Sequence, residues 1–167
     1  MNVYLTGFMG SGKTSVGRQL AKLLKRPFKD LDEEVERTVN RSVAELFARG
    51  EKVFRKAESA ALARLCAQDG LVVALGGGAL LSAKNKQLVS KSGVLTALTC
   101  SEPELWRRLR LKPPTRPLLG PGPDRARMRR LLARRLGLYG KADISISATR
   151  RTPAQAAALI AKRLKLG

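Results

Sequence analysis

The chain contains no histidine. That excludes histidine general bases, serine–histidine–aspartate triads and zinc sites with imidazole ligands. Aromatic residues make up only 4 % of it, and they do not form the interleaved stacking platform on which single-stranded nucleic acid is bound. Cysteine occurs twice, as Cys66 and Cys100, in apolar surroundings and without metal-ligand spacing. Free, buried thiols in a reducing cytosol are the expectation. No apolar run is long enough to span a bilayer, and a strand pattern begins almost at the first residue. Neither a membrane anchor nor a signal peptide is expected, and the expected location is the cytoplasm. Acids are scarce too: 13 against 33 Lys and Arg, a net charge of +20. Such a surplus attracts polyanions, but the cations are spread over most of the chain. General basicity and anionic small substrates fit that spread better than a specific nucleic acid.

What is present is concentrated near the start. Gly7-Phe8-Met9-Gly10-Ser11-Gly12-Lys13-Thr14 satisfies the phosphate-loop pattern G-x-x-x-x-G-K-[ST] at every fixed position. Val3-Tyr4-Leu5 before it reads as a short buried strand, and Val16, Leu20 and Leu23/Leu24 after it recur at helical spacing. Strand, glycine turn and helix are the context this motif requires. The glycines let backbone N–H groups turn inward around a phosphate, and the helix N-terminus adds its partial positive charge. In that setting Gly10 to Ser15 bind the phosphates of ATP, Lys13 reaches the β- and γ-phosphates, and the Thr14 hydroxyl is a ligand for Mg²⁺.

With 167 residues, 44 % of them hydrophobic, the chain is long enough for a single domain with its own core, residues 1–167. Further strands are expected at Pro27–Leu31, Leu71–Leu75, Val94–Leu98 and Ile144–Ile146, each followed by helical material. That alternation predicts an α/β fold around a sheet of parallel strands. Two helix starts carry capping boxes, at Ser42/Glu45 and Ser101/Glu104, and Thr152-Pro153-Ala154-Gln155 caps a C-terminal helix. Gly50 breaks a helix and a longer one follows from Glu51 to Gln68. Residues 111–124 hold five of the eight prolines with no periodicity, an irregular loop within the domain. In such a sheet, ligands bind at the carboxyl ends of the strands. Gly7, Asp30/Asp32 and Gly76–Gly78 all fall there.

Three features turn phosphate binding into phosphoryl transfer. Asp30 and Asp32, two residues apart on an extended segment, would point the same way. One would help hold Mg²⁺ through water and the other would orient or deprotonate an acceptor hydroxyl. The alternative is an acid-rich helix start, since Glu33 and Glu34 follow. Gly76-Gly77-Gly78 lets a ligand approach the backbone closely, or is simply a strand-to-helix turn. The strand before it ends without the aspartate of motor-type ATPases. Finally, arginine suits bidentate binding of a carboxylate and stabilisation of a transferring phosphoryl group. Physics alone does not single out Arg55, Arg116 and Arg135 in so basic a chain, although Arg116, in the proline-rich loop, is placed to act as a closing lid arginine.

Taken together, these stretches resemble shikimate kinases. GFMGSGKTSVG at Gly7–Gly17, Asp30-Leu31-Asp32, Gly50-Glu51 to Phe54-Arg55 and Glu58, the triple glycine, Arg116-Pro117-Leu118-Leu119, and Arg135-x-x-x-Tyr139 follow in that family's order and cover essentially the whole chain. The resemblance implies a nucleoside-monophosphate-kinase-like α/β/α sandwich with a five-stranded parallel sheet in the order 2-3-1-4-5, a lid at about 111–124, and a monomer. It implies transfer of the ATP γ-phosphate to the 3-hydroxyl of shikimate. By similarity Thr14 would ligate Mg²⁺ and Asp30 would support it through water. Asp32 would bind the acceptor hydroxyls and act as base, and Arg55, Arg135 and the Gly77 backbone would hold the shikimate carboxylate. Lys13, Asp32 and Arg116 would be the catalytic set. Arg151 would lie near the adenine, with Arg108 or Arg110 opposite. The segment from Phe47 to Gly50 is about one residue shorter than the common family pattern. A gluconate-kinase-like enzyme is the alternative within enzymes, and a basic nucleotide-dependent nucleic-acid-binding module the alternative outside them.

Overall fold

The computed structural model describes residues 1–111 and 124–165. Strand β1 (Asn2–Thr6) is buried along its whole length. Tyr4 faces one layer while Val3 and Leu5 face the other, because successive strand residues point to opposite sides of a sheet. Beside it run β2 (Phe28–Asp30), β3 (Val72–Ala74), β4 (Gly93–Thr99) and β5 (Ile144–Ser147). The sheet order is β2-β3-β1-β4-β5, and all neighbours are parallel. This is the order that the sequence motifs imply. Apolar runs such as Leu71–Leu75 are buried throughout since helices cover both faces.

One face is covered by α1 (Lys13–Leu24) and α8 (Pro153–Leu164). Their Val16, Leu20, Ala156 and Ile160 pack on Val3, Leu5, Val72 and Leu98. The other face carries α2 (Leu31–Val39), α3 (Val43–Ala48), α4 (Glu51–Cys66) and α5 (Ala83–Ser92). There Leu31, Leu46, Phe54, Leu62 and Leu65 close over Tyr4 and Val73. A third cluster joins Phe8 of the phosphate loop to α6 (Glu102–Arg110) and α7 (Arg125–Tyr139) through Leu105, Leu109, Met128 and Tyr139. The loop thus rests on a packed floor.

Of the two expected capping boxes, Ser42/Glu45 forms, and the cap at Thr152 proves to be a box with Gln155 as well. The other does not form: Ser101 is the N-cap of α6 but its side chain accepts no cap bond. Its N–H donates to Thr149 Oγ1 at 2.9 Å, and Glu104 accepts from Arg107 and Arg108 instead. The helical material expected after Leu71–Leu75 includes α5, for which the sequence offers no bounds. Its buried positions are only Asn85 and Val89, too few to give an apolar stripe. Both cysteines are free, but they are half-buried rather than buried, and Cys66 accepts a hydrogen bond from the Tyr4 hydroxyl at 3.2 Å. No helix among the described residues is long and apolar enough to cross a membrane.

Candidate active site

The carboxyl ends of β1, β2 and β3 open into one cleft of about 800 Å³. Its walls include Gly10–Val16, Asp30, Asp32, Arg55, Glu58, Gly76–Gly78, Arg108, Arg135 and Arg151. On one side the phosphate loop bends through Gly7, Gly10 and Gly12, all at positive φ, with Gly12 left-handed as the N-cap of α1. A side chain with a Cβ rarely adopts that conformation, which is why the motif fixes glycine at the turn. Lys13 Nζ donates to the carbonyls of Gly7 at 2.9 Å and Phe8 at 3.2 Å. The ammonium is therefore held over the loop rather than out in solvent.

Asp30 and Asp32 do not both lie on an extended segment. Asp30 ends β2 and is the N-cap of α2, accepting from the Asp32 N–H at 3.1 Å, while Asp32 sits in the first helical turn. The acid-rich helix start and the functional pair are the same object. The cap fixes Asp30 so that its other oxygen accepts from Thr14 Oγ1 at 2.8 Å, and the turn carries Asp32 into the cleft. Burial, with the charges of Asp30 and Glu58 nearby, pushes the Asp32 carboxyl up to about 6, against the opposing pull of Lys13. Its Oδ1 is buried without a hydrogen-bond partner among the described residues.

On the far wall Arg55 donates to Glu58 at 2.8 Å and to Glu51 at 3.0 Å, with its guanidinium over the stacked rings of Phe47 and Phe54. Glu58 is 1 % exposed. Burial raises its pKa, opposed by Arg55. Arg135, on α7, is 4 % exposed and makes no ion pair among the described residues. Burial lowers its pKa, and the Tyr139 hydroxyl beside it partly offsets that. The same burial pushes Tyr139 up to about 12.

The triple glycine makes room for these charged side chains. A Cβ at Gly76 would lie 2.6 Å from Glu58 Oε1, at Gly77 2.9 Å from Arg135 Nη1, and at Gly78 2.5 Å from Arg55 Nη2. A larger residue at Gly77 or Gly78 would push the Arg135 or Arg55 guanidinium aside, and one at Gly76 the Glu58 carboxylate.

The structure thus gathers Lys13, Thr14, Asp30, Asp32, Arg55, Gly77, Arg135 and Arg151 around one cavity. Of the two arginines left open on α6, Arg108 lines the cleft, whereas the Arg110 guanidinium lies over the Trp106 ring. Arg116 and the rest of 112–123 lie outside the described residues. The sequence reading gave Glu58 no role of its own. The signal was there: Phe54, Glu58, Leu62 and Leu65 share helical spacing, so Glu58 occupies a core position on α4.

The residues also fit a divalent cation. Thr14 Oγ1 and Asp30 Oδ2 are hard oxygen donors held 2.8 Å apart at the loop. Among the described residues no cluster of three acidic, histidine or cysteine ligands exists, so most of a Mg²⁺ shell would come from water and phosphate oxygens, as that ion prefers.

Comparison with known proteins gives the chain its relatives. A family model described as shikimate kinase matches residues 9–165. A shikimate kinase of Cereibacter sphaeroides is 42 % identical over 163 residues, covering 97 % of this chain and 81 % of that one. Another, of Pelotomaculum thermopropionicum, is 43 % identical over 143 residues, covering 85 % and 83 %. Among solved structures, shikimate kinase from Acinetobacter baumannii in complex with shikimate superposes with a TM-score of 0.93 at 34 % identity, covering 99 % of this chain and 93 % of that one.

Proposed function

The chain belongs to the shikimate kinase family, and we propose that it carries out this family's reaction with the work divided between the two walls of one cleft. It is an ATP-dependent kinase. It transfers the γ-phosphate of ATP to the 3-hydroxyl of shikimate, giving shikimate 3-phosphate and ADP on the route to chorismate and the aromatic amino acids. The observation that carries this reading is Arg135, a cation 4 % exposed that faces the cleft with no carboxylate partner among the described residues. A buried unpaired cation is costly, and the carboxylate of an anionic acceptor would neutralise it. Gluconate carries a carboxylate too, so the arginines call for an anionic acceptor, and it is the family match that favours shikimate.

The phosphate loop binds ATP through Gly10 to Ser15, and Lys13 follows the γ-phosphate during transfer. Mg²⁺, held by Thr14 and through water by Asp30, would neutralise charge on the bridging and terminal phosphate oxygens. Asp32 accepts a hydrogen bond from the acceptor hydroxyl and takes its proton. A carboxyl poised at about 6 is a stronger base than an ordinary aspartate yet still ionised at neutral pH. Arg55 and Arg135, beside the Gly77 backbone, bind the acceptor carboxylate bidentately. Arg108 and Arg151 border the nucleotide, and Arg116 serves as the lid arginine. The protein acts as a monomer in the cytoplasm, without nucleic acid or membrane.

The test is ADP release by the purified protein with MgATP. The expected result is release that depends on shikimate and not on gluconate or added nucleic acid. Absence of shikimate-dependent ADP would overturn the reading.

A further inference from the structure

A glutamate three residues after a serine N-cap normally reaches back to the cap N–H. Glu45 and its counterpart Gln155 do so in α3 and α8. Glu104 does not. Its Oε1 accepts from Arg108 Nε at 2.8 Å, and Arg107 donates to both of its oxygens at 2.8 Å. The cap N–H that it leaves is taken by Thr149. Between them Arg107 and Arg108 hold its carboxyl down at about 2, so it is anionic at any working pH.

The two arginines then differ. Arg107 is 61 % exposed and, among the described residues, pairs with Glu104 alone, whereas Arg108 is 23 % exposed. The rest of the Arg108 guanidinium donates to three backbone carbonyls. Nη2 reaches Ala148 at 2.9 Å, in the turn between β5 and α8, and Nη1 reaches Ser11 at 3.3 Å and Gly10 at 3.4 Å in the phosphate loop. One planar group thereby ties α6 to the loop and to the turn that precedes α8. The C=O and N–H of a peptide unit point in opposite directions, so holding the Ser11 carbonyl on Arg108 turns the next amide, that of Gly12, away from it. A guanidinium on a three-carbon stem has many rotamers of similar energy. A carboxylate on Nε selects one of them and fixes the plane.

We propose that Glu104 is a positioning residue for nucleotide binding: it forgoes its helix cap to lock Arg108 across the Gly10 and Ser11 carbonyls and the Ala148 carbonyl, and so presets the phosphate loop. This rests on the reading of the loop as the nucleotide site, but not on the identity of the acceptor.

The test is titration of the full chain with MgADP and no acceptor, followed by calorimetry or a fluorescent ADP analogue. Binding of MgADP by the unaltered chain tests the underlying reading separately. Glu104→Gln is expected to weaken ADP about fivefold to tenfold, less than the full worth of a charge-assisted hydrogen bond because Glu104 acts at one remove, with Glu104→Asp recovering part of the loss. Arg107→Ala should bind like the unaltered chain. The double variant Glu104→Gln/Arg108→Ala should bind no more weakly than Arg108→Ala, because Glu104 acts only through Arg108. Thermal midpoints of all variants identify any that fail to fold, and the Asp variant stands in where Gln does not fold. The proposal is overturned by ADP affinity unchanged in both Glu104 variants, by additive losses in the double variant, or by an equal loss in Arg107→Ala, which would make the cluster a brace of α6 and nothing more.

Discussion

The two walls of the cleft are made of different material. The nucleotide wall is backbone: glycines at positive φ, amides at a helix start, and a lysine resting on the carbonyls of its own loop. The acceptor wall is charged side chain. Asp32, Arg55, Glu58 and Arg135 come from three helices and meet over three glycines that leave them room. Among the described residues the nucleotide wall leaves one buried side-chain polar atom unsatisfied, Ser11 Oγ, and its lysine is held by loop carbonyls. The acceptor wall leaves two carboxylate oxygens in that state, Asp32 Oδ1 and Glu58 Oε1, and Arg135 makes no ion pair there. A surface that binds phosphate through fixed dipoles is nearly complete before its ligand arrives. One that binds a carboxylate and hydroxyls through buried charges is completed by the ligand.

The sharpest way to break this division is at Lys13. Lys13→Ala is expected to cut kcat about 10³-fold or more, since a preorganised cation on a transferring phosphoryl group is worth several kcal/mol. Shikimate binding measured by titration without nucleotide should change by no more than a few-fold, since the pull of Lys13 on the Asp32 carboxyl is weaker than the effects of burial, Asp30 and Glu58 on that group. A large loss of shikimate affinity would mean that the walls are one unit. The converse variant is Arg135→Ala. It should raise KM for shikimate about 10- to 100-fold, as for loss of a charge-assisted bidentate contact, and leave ADP affinity unchanged. An unaltered KM would remove Arg135 from the acceptor wall.

The same contrast explains what could be read from the chain. Gly7–Thr14 is legible because a backbone trap dictates residue types at fixed spacing, between a short strand buried along its whole length and a helix with a 3.6-residue period. The sheet order is the one the shared motifs imply. The acceptor wall has no local rule. Arg55 and Arg135 are two of 33 cations, selected by tertiary burial, and only resemblance marked them. Asp30 and Asp32 stand out in the sequence, but their backbone stays open between an extended segment and an acid-rich helix start, because a strand-to-helix junction looks extended until its cap is seen. The Ser101/Glu104 box failed for the reverse reason. Two arginines one turn further on compete for the same carboxylate, and three bonds from guanidinium groups outweigh one from a neutral amide. Arg108 was separated from Arg110 only by where α6 directs each.

The smallest expected effect tests the incompleteness of the acceptor wall directly, by comparing two aspartates two residues apart. Asp30 is used structurally: it caps α2 and accepts from Thr14. Asp30→Ala should cost about 1 kcal/mol of stability, the usual value of a lost N-cap. Asp32 should behave in the opposite sense. Its carboxyl is raised from 3.8 to about 6, chiefly by burial. Between those pH values the folded chain keeps a proton that the unfolded chain has lost. The stability linked to this group is therefore fully present below the unfolded value and is lost as pH rises through about 6. Above that, the folded state carries a poorly solvated anion. Asp32→Asn removes the anion and should stabilise the ligand-free protein by about 1–2 kcal/mol at pH 8, after discounting for partial solvent contact. The gain should shrink toward pH 4, while turnover is abolished at every pH. Urea unfolding at the two pH values reads the difference. If Asp32→Asn were destabilising at pH 8, or its gain independent of pH, the acceptor wall would be as relaxed as the nucleotide wall, and the turnover carried by Asp32 would need an origin other than a carboxylate kept basic by burial.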